Sequence, residues 1–166
     1  MSTSAEFLPQ GYEPPKSGGR YYKFQQGENR FRILSSPIIG WLDWDDNKPL
    51  RYRMNNKPAH PISPDRSIKH FWAFVVWNYE AKELQILEIT QSSIQQHITA
   101  ITRDPDWGVP FEYDFSVFKT GQKLETEYTV SPKPHKKISD DMQAALIATP
   151  INLDALFDGA DPFSPI

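Results

Sequence analysis

Apolar and polar positions alternate along the middle of the chain, which predicts a mainly β protein. In the segment 30–34, Phe31 and Ile33 would face one side of a strand and two arginines the other side. The segments 70–79 and 84–89 are rich in β-branched and aromatic residues, and the four residues between them fit a hairpin turn. We interpret these three segments as the first three strands.

A helix is predicted next, because isoleucines recur at helical spacing from Ile94 to Ile101, before the helix-stopping Asp104-Pro105. Alternation resumes over 113–118 and 124–130, the fourth and fifth predicted strands, and the prolines that follow are expected to end the sheet. Three strands, one helix and two strands are the element order of the OB-fold, a five-stranded barrel that binds oligonucleotides. SH3-like barrels and unrelated α+β folds could imitate this order.

The two ends of the chain and one internal stretch lack this pattern. The first 19 residues are rich in Ser, Pro and Gly, with too few apolar side chains to offset the entropy of ordering. The stretch 45–67 is dense in turn formers, which predicts a long excursion after strand one, with a short strand at 50–54. We divide the chain into a flexible N-terminal arm (1–26), an OB-fold domain (27–138) and an acidic C-terminal helix and tail (139–166).

Charge is distributed unevenly along the chain. Residues 139–166 hold five aspartates and no Lys or Arg, whereas residues 16–69 hold eleven Lys and Arg against five acidic side chains. This layout is typical of a polyanion binder that carries its own competitor. The chain has no cysteine and no apolar run long enough for a membrane-spanning helix, so we expect a protein of a reducing cytoplasm.

A protein that binds single-stranded nucleic acid needs cations for the phosphates and exposed rings for the unstacked bases. In strand two, Phe74 and Val76 would point into the barrel, while the opposite face would be wet because Glu88 lies there. The aromatic residues of this face could instead pack under the N-terminal arm or the tail, and a register error of one residue would expose Trp72. The candidate DNA-binding residues are Arg30, Arg32, Arg51, Tyr52, Arg53, Phe71, Trp77, Tyr79, Lys119 and Lys123. We interpret Trp107 as structural and leave Trp41 and Trp44 open.

The acidic end of the chain is the second candidate site. Ser139 and the two aspartates after it favour a short helix, and beyond Pro150 acidic and hydrophobic residues alternate. The last nine residues, 158–166, are predicted to be disordered. Such a tail could compete with DNA for the basic surface or present anchors to partner proteins; it could also be merely solubilising. The candidate partner-binding residues are Leu156, Phe157, Asp158, Asp161 and Phe163.

Catalytic motifs are missing from the sequence. The four histidines are scattered without zinc-ligand spacing, and no P-loop, GxGxxG or GxSxG occurs. Asp43, Asp45 and Asp46 could hold Mg²⁺ in a nuclease, but three acids in a turn are more often a solvated loop. We therefore predict a protein that is not an enzyme and needs no cofactor or metal.

Several motifs resemble those of phage-encoded OB-fold single-stranded DNA-binding proteins. They are Gly27-Glu28-Asn29-Arg30-Phe31-Arg32-Ile33-Leu34, Phe71-Trp72-Ala73-Phe74-Val75-Val76-Trp77-Asn78-Tyr79, Leu87-Glu88-Ile89-Thr90-Gln91 and Asp106-Trp107-Gly108 with Tyr113-Asp114-Phe115. The resemblance implies sequence-nonspecific coating of single strands during phage DNA replication, recombination and repair, in the cytoplasm of an infected bacterial host. The zinc site of some phage relatives is not implied, because its cysteines are absent here.

The C-terminus resembles a docking sequence in part. Asp161-Pro162-Phe163 is similar to the acidic terminus by which bacterial counterparts recruit replication proteins, but three more residues follow it here. The alternative function is a protein-interaction adaptor that acts through this acidic tail.

Overall fold

The computed structural model describes residue 10 and residues 20–163, and this part of the chain is mainly β, as predicted. Seven strands are found in it: β1 (Gly27–Ile33), β2 (Ile38–Asp45), β3 (Lys48–Arg53), β4 (Lys69–Asn78), β5 (Glu83–Ile89), β6 (Tyr113–Thr120) and β7 (Glu127–His135). The α-helices described are α1 (Ser92–Arg103) and α2 (Asp140–Ala148), and short 3-10 helices include Pro110–Glu112 and Leu153–Asp158. Neither α-helix in the described part has the length and apolar character needed to cross a bilayer.

The strands form one antiparallel sheet in the order β3-β2-β4-β1-β6-β7, with β5 paired to β4. α1 lies between β5 and β6, the third and fourth predicted strands, so the predicted position of the helix is confirmed. The five-stranded closed barrel is not confirmed. Predicted strand one corresponds to β1, β2 is an additional strand, and the predicted short strand at 50–54 overlaps β3, which joins the sheet. Within the described residues no pairing between β5 and β7 closes the sheet.

The inner face of the sheet is the main core. It gathers Phe74 and Val76 of β4 with Ile94 and Ile98 of α1, all buried. Further members are Phe31, Ile33, Leu87, Ile89, Tyr113, Phe115 and Val117. The predicted inward face of β4 is therefore confirmed, and Trp107 packs against this cluster, as expected of a structural tryptophan.

The β4–β5 hairpin differs from the prediction in register but not in which face is inside. The predicted loop at Ala81-Lys82 would pair Trp77 with Ile86, whereas Trp77 pairs with Leu84. The shift is two residues, and because side chains alternate with period two, each residue keeps its face. Glu88 consequently lies opposite Ala73 on the outer side.

The segment after the predicted arm boundary packs on the sheet. Tyr22 donates its backbone N–H to the Ile86 carbonyl at 2.8 Å, and its ring lies 5.8 Å from that of Phe24. Phe24 in turn lies 5.9 Å from Tyr128 of β7, so the two rings fill the seam between β5 and β7. Assigning residues 20–26 to a flexible arm was wrong for this reason; residues 1–9 and 11–19 lie outside the described part.

The chain after β7 covers the outer face of β4 and β5. α2 contributes Met142, and the 3-10 helix Leu153–Asp158 contributes Leu156, both buried against this face. The last described residues are also fixed, because Asn152 donates its N–H to the Pro162 carbonyl at 2.8 Å. The predicted disorder from residue 158 onward is wrong for residues 158–163; residues 164–166 lie outside the described part.

Pro132 and Pro134 were expected to end the sheet. This prediction is wrong, because both lie inside β7. β7 is at one end of the strand order. An edge strand tolerates proline because half of its N–H groups have no neighbouring strand to bond.

Candidate nucleic-acid interface

The two arginines of β1 have different surroundings. Arg30 keeps 40% of its side chain exposed, whereas that of Arg32 is only 1% exposed. Arg32 donates from Nε and Nη2 to the Phe111 carbonyl at 3.0 and 2.7 Å, and from Nη2 to the Lys136 carbonyl at 2.6 Å. These bonds tie three chain segments together. The prediction that Arg32 belongs to an exposed basic face is therefore wrong, because its guanidinium is buried and fully engaged.

Asp114 is the buried acid at the centre of this cluster. Its carboxylate lies 2.9 Å from Arg30 Nη2, 3.4 Å from Arg32 Nη1 and 3.5 Å from Lys136 Nζ. Tyr79 donates its hydroxyl to the same carboxylate at 2.8 Å, and burial together with this bond raises the tyrosine pKa. Three cations surround one acid, so the surface of the cluster keeps a positive excess.

The ring of Tyr79 lies close to two of these cations. The Arg30 guanidinium is 5.7 Å and Lys136 Nζ is 5.5 Å from the ring centroid. Of the rings predicted on the outer face of β4, Tyr79 is the one that stays partly exposed beside exposed cations.

Phe71 and Trp77 are not exposed. Phe71 is 0% and Trp77 7% accessible, because α2 and the tail lie over them. Their predicted exposure is wrong, and in this arrangement they offer no stacking surface. Trp72 stays on the inner side, half-buried at the core, so the one-residue register alternative is not realised.

The arginines of β3 contact acidic groups. Arg51 forms a two-point pair with Glu88, with Nε at 2.7 Å and Nη2 at 3.3 Å from its carboxylate oxygens. Arg53 lies over the ring of Phe157 at 4.4 Å and 3.9 Å from the carboxylate of Asp154. Arg53 stays about half-exposed, whereas Arg51 is mostly enclosed, so Arg53 is the more accessible of the two.

Lys119 and Lys123 belong to a different part of the sheet. Lys119 pairs with Tyr128 near the end of β6, and Lys123 is exposed in the turn that leads to β7. β7 and β3 are at opposite ends of the strand order. The predicted cations therefore do not form one cluster.

A row of rings crosses three strands on the inner side of the sheet beyond the core. Trp41 of β2 pairs with Tyr52 of β3 on one side and His70 of β4 on the other, and all three are partly exposed. The Trp41 and His70 ring centroids are 5.1 Å apart, and Lys57 Nζ lies 4.3 Å from the Trp41 centroid. We call Tyr52, Trp41 and His70 the ring row.

Hydrogen bonds hold the ring row in place. The indole N–H of Trp41 donates to the Met54 carbonyl at 3.1 Å. His70 Nδ1 lies 2.8 Å from the Gly40 carbonyl, which can only accept, so this nitrogen carries the proton. Sequence reasoning included Tyr52, left Trp41 open and missed His70. The alternation of Ile39, Trp41 and Asp43 was the signal, but it needed the pairing with β3 and β4.

The opposite side of the same hairpin carries a second ring and cation. The Arg66 guanidinium lies 5.5 Å from the Trp44 ring centroid, beside an open groove of about 660 Å³ that Lys69 also lines. This pair and the ring row place cation and ring contacts on both sides of the β2–β3 hairpin.

Asp43 is a structural acid. It is 1% exposed and accepts backbone N–H groups of Trp44 at 2.8 Å and Ile62 at 3.0 Å, which fastens the long loop to β2. Among the described residues, no group of three or more His, Asp or Glu side chains is arranged to hold a metal ion.

The tail residues divide into buried anchors and exposed acids. Leu156 is buried, the Phe157 ring centroid lies 6.1 Å from that of Phe71, and the ring of Phe163 lies under the Arg20 guanidinium at 4.6 Å. Asp158 and Asp161 remain exposed. The predicted hydrophobic anchors therefore contact this chain's own sheet.

Comparison with curated proteins finds the "Probable ssDNA-binding protein" of Escherichia phage T5, which is 25% identical over 139 residues. The match covers 66% of this chain and 53% of that protein, so the chain spans about half the length of this relative. No protein-family model matches the chain, and no solved structure matches it. The resemblance predicted from the motifs is thus confirmed at the level of sequence, since the chain is similar to a phage protein named for single-stranded DNA binding.

Proposed function

We propose that this protein binds single-stranded DNA without sequence preference and without catalysis, and so protects unwound strands. The observation that carries the proposal is the ring row with Lys57, where flat rings and a cation occur side by side on a partly exposed sheet face. The name of the phage T5 relative supports the same function. Coating strands during phage replication, recombination and repair, in the cytoplasm of an infected host, is part of this proposal, as is an OB-like arrangement.

The chemistry follows from the residue types. Each base stacked on an aromatic side chain contributes about 1–3 kcal/mol and tolerates any sequence, since every base has a π-face. Lys57 covers Trp41 in the free protein. When a base takes its place on the ring, the ammonium group is within reach of the adjacent phosphate. Binding then releases condensed counterions, so affinity falls steeply as salt rises.

A second part of the proposal concerns the tail as a competitor. Asp154 pairs with Arg53, and Phe157 covers the guanidinium of the same arginine. Phosphates that use Arg53 must displace this acid. We expect Asp154→Asn to leave DNA affinity equal or slightly higher, and Asp141→Asn on α2 to serve as the control. Lower affinity of Asp154→Asn than of the control would refute competition at Arg53.

Deletion of the whole tail tests competition less well. Removing residues 139–166 would also uncover Phe71, Trp77 and Leu84, so a loss of binding could reflect a loss of folding. Burial of the anchors also counts against the adaptor alternative, because a partner could use Leu156 only after the tail left the sheet.

The test of the main proposal is Trp41→Ala against Trp41→Phe, titrated with fluorescent poly-dT in dilute buffer. The alanine variant should lose about 5- to 150-fold in affinity, the equivalent of one stack, and the phenylalanine variant should retain most of it. Ile147→Ala, which changes an exposed apolar side chain on α2, is the matched control. If the unmodified protein retards no unpaired oligonucleotide, the function is refuted; if both Trp41 variants bind normally, the ring row is not the platform.

A further inference from the structure

An apolar cavity lies beside the ring row, at the end of the core that α1 closes. Its volume is about 310 Å³, the lower end of the range for small-ligand sites. It is lined by Ile33, Ser35, Pro37, Ile39, Trp72, Phe74, Ile98, Thr99, Thr102, Pro110 and Phe111. Ile39 and Phe111 keep 43% and 39% of their surface exposed, so the mouth of the cavity is apolar and open.

Resting on the proposed function, we propose that the bound strand continues from the ring row into this cavity, which takes one unstacked base against Trp72. Ile39 is two residues from Trp41 on β2, and Trp72 is two residues from His70 on β4, so both lie on the side of the ring row. Ile39 and Trp72 are also register partners. Ile39 and Trp72 form the next row across the sheet. A DNA strand that leaves Trp41 in that direction therefore reaches them next.

The polar groups of the lining explain what kind of ligand fits. Thr99 donates its hydroxyl to the Gln95 carbonyl at 2.7 Å, and Thr102 donates to Thr99 at 3.1 Å. Ser35 donates to the Ser36 carbonyl at 3.1 Å and accepts the Val75 N–H at 2.8 Å. The hydroxyl protons are committed to backbone carbonyls. These hydroxyls are therefore not free to donate to a base and can only accept from one. The cavity would hold a flat ring mainly by stacking and shape.

The far side of the cavity leads to cations. Phe111 also lines a wider groove of about 660 Å³, together with Arg32, Glu112, His135, Lys136 and Lys137. Lys136 and Lys137 are exposed there. The positive groups outnumber the acid of the lining, so the phosphate that follows the inserted base meets a positive surface. Phe111 is shared by the cavity and the groove, and Gln143 and Leu146 of α2 also line the groove. The proposed track therefore runs from the ring row through the cavity to the edge of the face that α2 covers.

The experiment compares two lengths of oligo-dT, about 4 and about 12 nucleotides, which bracket the site sizes of small single-strand binding domains. Phe111→Ala removes the ring at the cavity mouth but keeps the carbonyl that Arg32 needs. It should weaken binding of the longer strand about fivefold or more and leave the shorter strand unchanged. Lys137→Gln should reduce the slope of log affinity against log salt concentration, measured with the longer oligonucleotide, by about 1. Ile147→Ala and Lys82→Gln, exposed and outside the track, are the controls.

A second measurement does not depend on affinity. Trp72→Phe keeps a ring in the core but removes one indole, so the fluorescence quenched by the longer strand should become smaller while quenching by the shorter strand stays the same. Equal effects of Phe111→Ala on both lengths, or none on either, would overturn the track. If Trp41→Ala instead binds both lengths normally while Phe111→Ala still weakens only the longer oligonucleotide, the ring row is refuted and the cavity stands.

Discussion

At the scale of single residues, alternation does not distinguish Arg30 from Arg32. Both point to the outer side of β1, and a local pattern therefore treats them alike. What separates them is distant in sequence: the carbonyls that accept from Arg32 belong to Phe111 and Lys136, 79 and 104 residues away. Their approach encloses one guanidinium and leaves its neighbour at the surface.

Arg32→Gln should therefore reduce stability rather than only DNA binding. The buried carbonyls of Phe111 and Lys136 would lose their donor, which costs about 1–3 kcal/mol for each group left unsatisfied. Asp114 would keep Arg30, Lys136 and Tyr79 as partners. Urea unfolding measures the loss. Arg30→Gln is the matched change at the exposed position and should cost no more than about 1 kcal/mol, as partly exposed pairs do. Equal, small losses in both variants would contradict the structural role of Arg32.

Trp77→Ala should likewise act on folding. Truncating a buried tryptophan costs about 3–5 kcal/mol in lost burial and cavity formation. The midpoint of urea denaturation should fall, while affinity of the remaining folded protein for oligo-dT stays within error. Trp41→Ala should show the reverse, with weaker binding and a smaller loss of stability, because Trp41 is partly exposed. A stable Trp77→Ala protein with weakened DNA binding would restore the exposed-face assignment.

At the scale of elements, sequence patterns were sufficient where both partners of a contact were close along the chain. The inward face of β4, the position of α1 and the β4–β5 hairpin could be predicted because period and turn chemistry are local. The outer face of β4 could not, because its cover comes from α2 and the segment around Leu156, nearly eighty residues later. The sequence pattern of alternating aromatic residues is the same whether a ligand or another segment of the chain covers that face.

The ring row was hard to predict for a related reason. Trp41, Tyr52 and His70 come from three strands joined by a hairpin and a long loop, and none of them belongs to a recognisable motif. Their juxtaposition depends on the registers of β2 with β3 and with β4. The acidic and hydrophobic alternation after Pro150 was recognised, but alternation does not state which surface the hydrophobic residues cover.

Gly40 is where those elements touch most closely. A Cβ there would overlap the carbonyl oxygen of Tyr52 and press against the rings of Phe71 and Phe157. Gly40→Ala should therefore displace β3 or the tail, destabilise the protein by about 1–3 kcal/mol as overpacking does, and weaken oligo-dT binding through the ring row. Thermal unfolding and fluorescence titration measure the two effects. Gln96→Ala, on the exposed side of α1 and favourable to a helix, is the control for changes remote from the hairpin. A stable, fully binding Gly40→Ala protein would contradict the close packing.

At the scale of the whole molecule, several tyrosines couple folding to alkaline pH. Burial raises the pKa of Tyr22 to about 12, and burial also raises the pKa of Tyr21, Tyr79 and Tyr113. A phenol whose pKa is higher in the folded state contributes its full stability below the unfolded value of about 10, and this contribution is lost as pH rises toward the folded value.

The free energy of unfolding should therefore fall between about pH 10 and pH 12. Urea midpoints measured across this window test it, with Tyr22→Phe as the control, because phenylalanine has no proton to lose. The slope of stability against pH should be shallower in the variant. Parallel curves for the two proteins would mean that Tyr22 titrates alike in the folded and unfolded chain.

Gly40 places the backbone of β2 between the ring row on one side and Phe157 of the tail on the other. We propose that a base stacks on Trp41, the residue after Gly40, while the backbone at Gly40 packs against Phe157. A partner protein that displaced the tail would remove the contact between Phe157 and the backbone at Gly40. A DNA strand stacked on Trp41 would restrict the motion of the same backbone. If both events occur, thermodynamic reciprocity requires that a protein holding the acidic end and a strand lying on the indole alter each other's affinity by the same factor.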